Sequence, residues 1–283
     1  MGESLVAEAA PRGRARGAAS GAGVSEVRER TVRVLGEAVR VLEKGEGTAL
    51  GVLATFGGLT GFTPFLDRLA ERRRVVVPSL PGFPGGGVAF RRLDDLADWV
   101  AATLDLLEAA GLEGADLLGH GVGGLLAAEA AAFARAALRR LVLVAPLGLF
   151  DEGEPVADVF AKRASEIPPL FSAHPERYSA ALARPEGEDE AEWQIVQVRA
   201  AEAAARLLWP TGDRGLAKRL HRITAPTLLL WGAEDRIVPP SYAKRFAAGI
   251  AGPTEVRAIP GAGHRVDLDA PEPAADAVLG FLG

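Results

Sequence analysis

The sequence predicts an α/β fold built on a mostly parallel, doubly wound sheet. Three observations carry that expectation. Short apolar runs, most of them closed by Gly, Pro or Ser, recur along the chain; helical stretches separate them; and 283 residues with 48% hydrophobic content suffice for one large core plus an insertion.

The elements follow in order. The opening MGESLVAEAAPRGRARGAASGAG is rich in Ala, Gly and Arg and has acidic residues but no apolar centre, so residues 1–27 read as a flexible tail and not as a secretory signal. Val6 also occupies the position where a myristoylation signal needs Ser or Thr. TVRVLGEAVRVLE (31–43) alternates with period two, as an antiparallel pair at a sheet edge does. ALGVLATF (49–56), VVVPS (75–79), ADLLG (115–119), LRRLVLVAP (138–146), APTLLLWG (225–232) and TEVRAIPG (254–261) are short apolar runs and read as strands covered on both faces. Between them Leu93–Ala110 keeps Leu96, Val100, Leu104 and Leu107 on one helical face, and Gly123–Ala136, Ser241–Ile250 and Ala274–Leu282 supply further helices. Residues 150–221 break the alternation. They hold no convincing strand and carry Pro168, Pro169, Pro175, Pro185 and Pro210. The organisation predicted is a core of residues 28–149 and 222–283, with 150–221 inserted as a helical cap over the carboxyl ends of the strands, where open α/β sheets bind ligands.

Composition removes several function classes. Thirty-two Lys and Arg against 37 Asp and Glu leave a formal charge of −5, which lacks the electrostatic footprint of a nucleic-acid binder. There is no Cys, hence no disulfide, thiolate nucleophile or zinc–thiolate site. No apolar run reaches the roughly 18–20 residues of a membrane span. The expectation is a cytoplasmic protein with a small-molecule substrate, no nucleic-acid or membrane partner, no metal and no cofactor; a monomer and a homodimer fit the sequence equally.

The chemistry-bearing stretch is LLGHGVGGLLAAEAA (117–131), where a strand ends in Gly119-His120-Gly121-Val122-Gly123-Gly124 and a helix begins at once. GHGVGG also matches G-x-G-x-x-G, but a dinucleotide motif belongs to the first strand–helix unit of its domain, and here several strands precede it. The stretch resembles the nucleophile elbow of the α/β-hydrolase superfamily, G-x-S-x-G at a sharp strand-to-helix turn. Further motifs follow in the superfamily's order. LLLWGAEDRIVPP (228–240) resembles the loop that carries the catalytic acid, at Asp235, and IPGAGHRVDLDAPE (259–272) the last loop, with the catalytic histidine at His264. TFGGLTGFTPFLDRLA (55–70) resembles the oxyanion loop and VVVPSLPGFPGGG (75–87) the loop after the fourth strand. The resemblance spans about residues 30–149 and 222–283 and implies an eight-stranded, mostly parallel sheet flanked by helices.

Three departures from that pattern bear on function. The nucleophile position holds Gly121, Phe56 stands where His commonly precedes the oxyanion glycines, and Ser79 stands where many relatives have Asp. Without a side chain at 121 no acyl-enzyme forms there, while Gly adopts the strained backbone of the elbow without penalty. The resemblance leaves His264, oriented by Asp235, as a general base, since an imidazole changes charge near neutrality. It also leaves an oxyanion hole from the N–H of Val122 with one from Gly57 or Gly58. Asp151 is a secondary candidate acid. His120 fits a role in fixing the elbow or lining the site, and Phe56, Phe160, Trp193 and Trp209, with Phe62 and Phe65, are candidates for an apolar substrate pocket. His174 and His221 read as surface residues, and Arg72-Arg73-Arg74 as a solvated rim.

Three functions fit these residues. The first is an enzyme using the His264/Asp235 dyad without a covalent intermediate, as a lyase, cyclase, isomerase or water-activating hydrolase. The second is a conventional esterase, thioesterase or carbon–carbon bond hydrolase disabled by Ser→Gly at 121. The third is a non-catalytic binding protein that kept the pocket. The substrate expected is small, largely apolar and carbonyl-containing.

Overall fold

Alternating apolar runs become strands wherever both faces can be covered, and the computed structural model shows how the covering is arranged for residues 26–135 and 138–283. As far as residue 25, the expected tail lies outside the described residues. Arg28–Val34 (β1) and Glu37–Lys44 (β2) pair antiparallel with Val34 opposite Glu37. Leu35 and Gly36 join them, both at positive φ (51° and 79°), the mirror-image turn whose twist suits a hairpin.

Ala49–Leu53 (β3) leads to Pro64–Ala70 (α1), a helix absent from the sequence reading although its start is well marked. Thr63 accepts from the Leu66 N–H and Pro64 fills the first turn. Arg74–Pro78 (β4) and Leu96–Ala109 (α2) follow. The helix begins three residues later than expected because the Asp95 carboxylate caps the Asp98 N–H at 3.0 Å. Ala115–His120 (β5), Val122–Phe133 (α3) and Leu138–Val144 (β6) complete the first half.

The segment between β6 and the next strand contains no strand among the described residues. It holds Ile167–Phe171 (α4), Pro175–Ala181 (α5) and Glu190–Leu208 (α6) together with short 3₁₀ turns. Thr227–Gly232 (β7), Tyr242–Gly249 (α7), Thr254–Ile259 (β8), Val266–Asp269 (α8) and Pro271–Leu282 (α9) close the chain. No helix among the described residues is long and apolar enough to cross a membrane.

The eight strands form one sheet in the order β1-β2-β4-β3-β5-β6-β7-β8, parallel except at the β1–β2 and β2–β4 pairs. Period-two alternation sends Leu117, Leu141, Leu143 and Leu229 to one face, against α2 and α3, and Leu118, Val142, Val144, Leu228 and Leu230 to the other, against α1 and α9. In these strands both alternations are therefore apolar, as the runs anticipated, whereas TEVRAIPG, read as covered on both faces, forms the edge strand β8 with Val256 48% exposed. The strand order reverses between β3 and β5, and Leu53 pairs with Gly119. The segments just past these two strands consequently emerge side by side at the switch point of the sheet.

Arg73, expected on a solvated rim, is only 4% exposed. It donates to Asp116 at 3.1 Å and to the carbonyls of Leu282 and Gly283 at 2.5 and 2.6 Å, tying the start of β4 to the end of α9. Asp116, fully buried, also receives Arg139 through Nε at 2.9 Å and Nη2 at 2.5 Å. Removing one partner of a buried pair strands the other charge. Asp116→Ala is therefore expected to destabilise the fold by about 3–5 kcal/mol, read from urea unfolding; a loss below about 1 kcal/mol contradicts that pairing.

Candidate functional site

Two loops from the carboxyl ends of β7 and β8 bring the predicted dyad together. Asp235 Oδ1 accepts from the N–H groups of Ile237 (2.8 Å) and Val238 (3.0 Å), which fixes the carboxylate with Oδ2 turned to His264 Nδ1 at 2.9 Å. Both side chains are fully buried. A carboxylate only accepts, so Nδ1 carries the proton and Nε2 of the neutral ring presents a lone pair. Nε2 has no hydrogen-bond partner among the described residues.

Gly121 stands between β5 and α3 at φ 52°, ψ −108°, a conformation that disfavours any side chain. Its N–H donates to Val144 O at 2.9 Å and its carbonyl accepts from Leu147 N at 3.1 Å, so β6 and the segment after it hold the turn. Gly123 is required by close approach: a Cβ there would stand 2.2 Å from the Leu53 carbonyl oxygen, because α3 starts hard against β3. A Cβ on Gly121 would stand 2.9 Å from His264 Nε2 and 2.2 Å from Thr55 Oγ1. Position 121 therefore faces the dyad, and the Thr55 hydroxyl fills the space in front of it. Thr55 has no place among the sequence candidates. Its signal lies in strand register: Thr55 is two residues beyond Leu53 just as Gly121 is two beyond Gly119, and no single run of sequence displays that pairing.

Of the candidate oxyanion donors, the Val122 N–H lies in the first turn of α3, where the helix offers no acceptor. Gly58 is a correction: its N–H donates to Thr55 O at 3.0 Å and closes a turn, which leaves Gly57 as the candidate from that loop.

Aromatic rings wall the imidazole. Phe56 and Phe171 lie 6.4 and 5.7 Å from it, Phe160 lies 6.4 Å from Phe56, and Tyr178 stacks on Phe171 at 4.7 Å. Phe171 and Tyr178 are additions to the sequence candidates; they come from α4 and α5, whose aromatic residues follow no period that a strand or long helix would reveal. Phe56 and Phe160 also line a narrow pocket with Leu147, Leu149, Val156, Val159 and Leu208, and with Thr211 and Arg214 as its few polar members. Trp193 faces a separate depression against Gly57–Thr63. Trp209, expected in the substrate pocket, is 62% exposed and belongs to neither wall. Phe65, on α1, is buried in the core. Asp151 pairs with Arg245 and caps Gly153, while Asp235 holds His264 Nδ1, so the secondary acid drops out. His174 and His221 lie towards solvent, as expected.

Of its two readings His120 takes the bracing one. It donates Nε2–H to His264 O at 2.8 Å, so it braces the histidine loop from behind and presents no donor to a substrate. Burial pushes its pKa down to about 4 against the opposing charge of Asp267, whose carboxylate lies 3.5 Å away. Burial would raise the pKa of Asp267 itself, but two 2.8 Å bonds from Arg265 and its charge hold it well below the usual carboxylate range. Asp269 joins the same loop to the insertion by accepting from Gly263 N (2.8 Å), Ala173 N (2.9 Å) and the Ser172 hydroxyl. The acidic spacing in RVDLD thus positions His264 and does not react.

In the unfolded chain His120 takes up its proton near pH 6.5, in the folded protein only near pH 4. Between these values the unfolded state binds the extra proton, so this contribution is complete above pH 6.5 and is lost as pH falls towards 4. The loss is on the order of 3 kcal/mol. Urea midpoints measured at pH 7, 5.5 and 4.5 are expected to fall more steeply in the parent than in His120→Gln; parallel curves contradict the assignment.

Against known proteins, a model described as the alpha/beta hydrolase family matches residues 54–277. A dihydrolipoyllysine-residue acetyltransferase component of an acetoin cleaving system from Pseudomonas putida is 31% identical over 83% of this chain, which spans 64% of that relative's length. A 2-hydroxy-6-oxo-6-phenylhexa-2,4-dienoate hydrolase from Comamonas testosteroni is 28% identical over 74% of this chain and 78% of its own. The solved structure of the like-named hydrolase from a Rhodococcus superposes with a TM-score of 0.71 at 20% identity, over 91% of this chain and 99% of that one, a likeness of fold.

Proposed function

The chain belongs to the alpha/beta hydrolase family, and from that premise we propose that it is an enzyme acting on a small, largely apolar carbonyl compound through the His264/Asp235 dyad, with no covalent intermediate at position 121. The single observation that carries this reading is the contact in front of Gly121. With Thr55 Oγ1 2.2 Å from where a Cβ would begin, a serine enters only if Thr55 gives up the position its hydroxyl holds. That supports glycine as the residue that belongs at 121 and weighs against a conventional esterase disabled by one change. The intact bond between His264 and Asp235, with Nε2 presenting a lone pair, weighs against a purely binding role.

The simplest chemistry available to these groups is direct attack of water on the carbonyl carbon. His264 Nε2 takes a proton from water as its oxygen bonds to carbon, and the carbonyl electron pair moves onto the oxygen facing the N–H groups of Val122 and Gly57. Collapse of that oxyanion expels the leaving group, which recovers the proton from the imidazolium. The segment between β6 and β7 acts in this reading as a cap, its Phe171 against the imidazole and its Phe160 in the apolar pocket.

The test is turnover of p-nitrophenyl acetate, butyrate and octanoate by the parent and by His264→Ala, with intact-mass analysis of quenched samples. His264-dependent release without a burst or an acyl adduct is expected. Equal rates in parent and variant, or an acyl adduct on the chain, overturns the reading.

A further inference from the structure

We propose that Thr55 is a catalytic residue that supplies the hydroxyl missing at position 121, and that its Oγ1 and His264 Nε2 together hold the attacking water as it reacts. The inference rests on the dyad reading above and adds the group that fixes the nucleophile.

The geometry is specific. Both atoms lie within 2.9 Å of one point, the place where a side chain on Gly121 would begin. Both are buried, Thr55 with 3% of its surface exposed and His264 with none. Neither finds a hydrogen-bond partner among the described residues. A buried hydroxyl left unbonded costs free energy that the isosteric valine would avoid, so its presence calls for a partner.

The two groups are chemically complementary, since a threonine O–H can donate and Nε2 can accept. They nevertheless form no bond with each other. Two such groups facing one space without bonding each other are matched by a third polar atom that reaches both. A water there gives one O–H to Nε2 and is anchored by Thr55 Oγ1, which leaves a lone pair for the carbonyl carbon. On attack the proton passes to Nε2, the oxygen–carbon bond forms, and the leaving group later takes that proton from the imidazolium. Thr55 keeps its own proton throughout. Direct attack by Thr55 would instead require its hydroxyl to bond Nε2, as a nucleophile bonds its base.

Thr55→Val removes the hydroxyl at constant shape, and Thr55→Ser restores it. With p-nitrophenyl butyrate, Thr55→Val is expected to keep or raise Tm, to lower kcat about 10–100-fold with KM within about twofold, and Thr55→Ser to recover kcat to within a few fold. Undiminished kcat in Thr55→Val while His264→Ala is inactive overturns the role of Thr55 and leaves the dyad standing; an acyl adduct on Thr55 overturns it in favour of a covalent threonine. A crystal structure of the parent decides independently of turnover. An ordered oxygen within hydrogen-bond reach of both Thr55 Oγ1 and His264 Nε2, absent from Thr55→Val, supports the site. A direct bond between the two side chains refutes it.

Discussion

Asp235→Asn is expected to lower kcat for p-nitrophenyl butyrate by about 10²–10⁴-fold, as far as His264→Ala, while leaving the fold nearly as stable as the parent. The amide oxygen of Asn keeps the bonds that Asp235 Oδ1 accepts from the N–H groups of Ile237 and Val238, so the loop after β7 retains its anchor. What changes is the group facing His264 Nδ1 at 2.9 Å. An amide nitrogen donates there, and Nδ1 must then accept, which moves the ring proton to Nε2. The nitrogen that should take a proton from water becomes a donor, and the base is lost without any movement of the ring. Because both variants remove the same lone pair, Asp235→Asn/His264→Ala is expected to be no slower than His264→Ala alone. Additive losses, or an Asp235→Asn variant within tenfold of the parent, would show that the carboxylate does not set the tautomer.

Most of the fold was legible because its elements announce themselves locally. Each apolar run between turn residues became a strand, since a sheet covered on both faces needs apolar residues on both alternations. The hairpin was legible from its period, and the elbow from glycines that a helix starting against two strands requires. The dyad followed from motif order. What stayed hidden depends on partners distant in sequence. Arg73 looks like one of three surface arginines until Asp116, 43 residues on, and the carbonyls of α9 enclose it. Gly58 looks like an oxyanion donor until Thr55 O claims its N–H. Trp209 looks like a pocket residue because it is aromatic, yet the chain turns outward at the end of α6. Thr55 is the extreme case: it follows an apolar strand as an ordinary polar terminus, and only the pairing of β3 with β5 brings it to Gly121.

Gly121→Ser, the change that would restore an elbow nucleophile, is expected to give an inert and destabilised protein, and Gly121→Ser/Thr55→Gly to regain part of the lost stability and to acquire acyl chemistry. Two penalties act on the single variant. The backbone at φ 52°, ψ −108° strains any residue with a Cβ, at about 1–3 kcal/mol. The new Cβ also meets Thr55 Oγ1 at 2.2 Å and Thr55 Cβ at 3.2 Å, and overpacking of this kind typically costs about 1–3 kcal/mol more. Of the two other staggered rotamers of Thr55, one brings the methyl to the same place, and only the one that turns hydrogen toward position 121 relieves the contact. Removing that side chain lifts the second penalty and leaves the first, which the hydrogen bonds of Gly121 to Val144 and Leu147 are placed to hold. The introduced serine would then lie beside His264 Nε2, which at 2.9 Å from its Cβ must give way slightly, and gain a base already oriented by Asp235. A fluorophosphonate probe is accordingly expected to label the serine introduced at position 121 in the double variant and to leave the parent and the single variant unlabelled, with urea midpoints in the order parent, double, single. Labelling of the single variant at parental stability would mean that Thr55 yields its place freely, and glycine at 121 would then be no requirement of this packing.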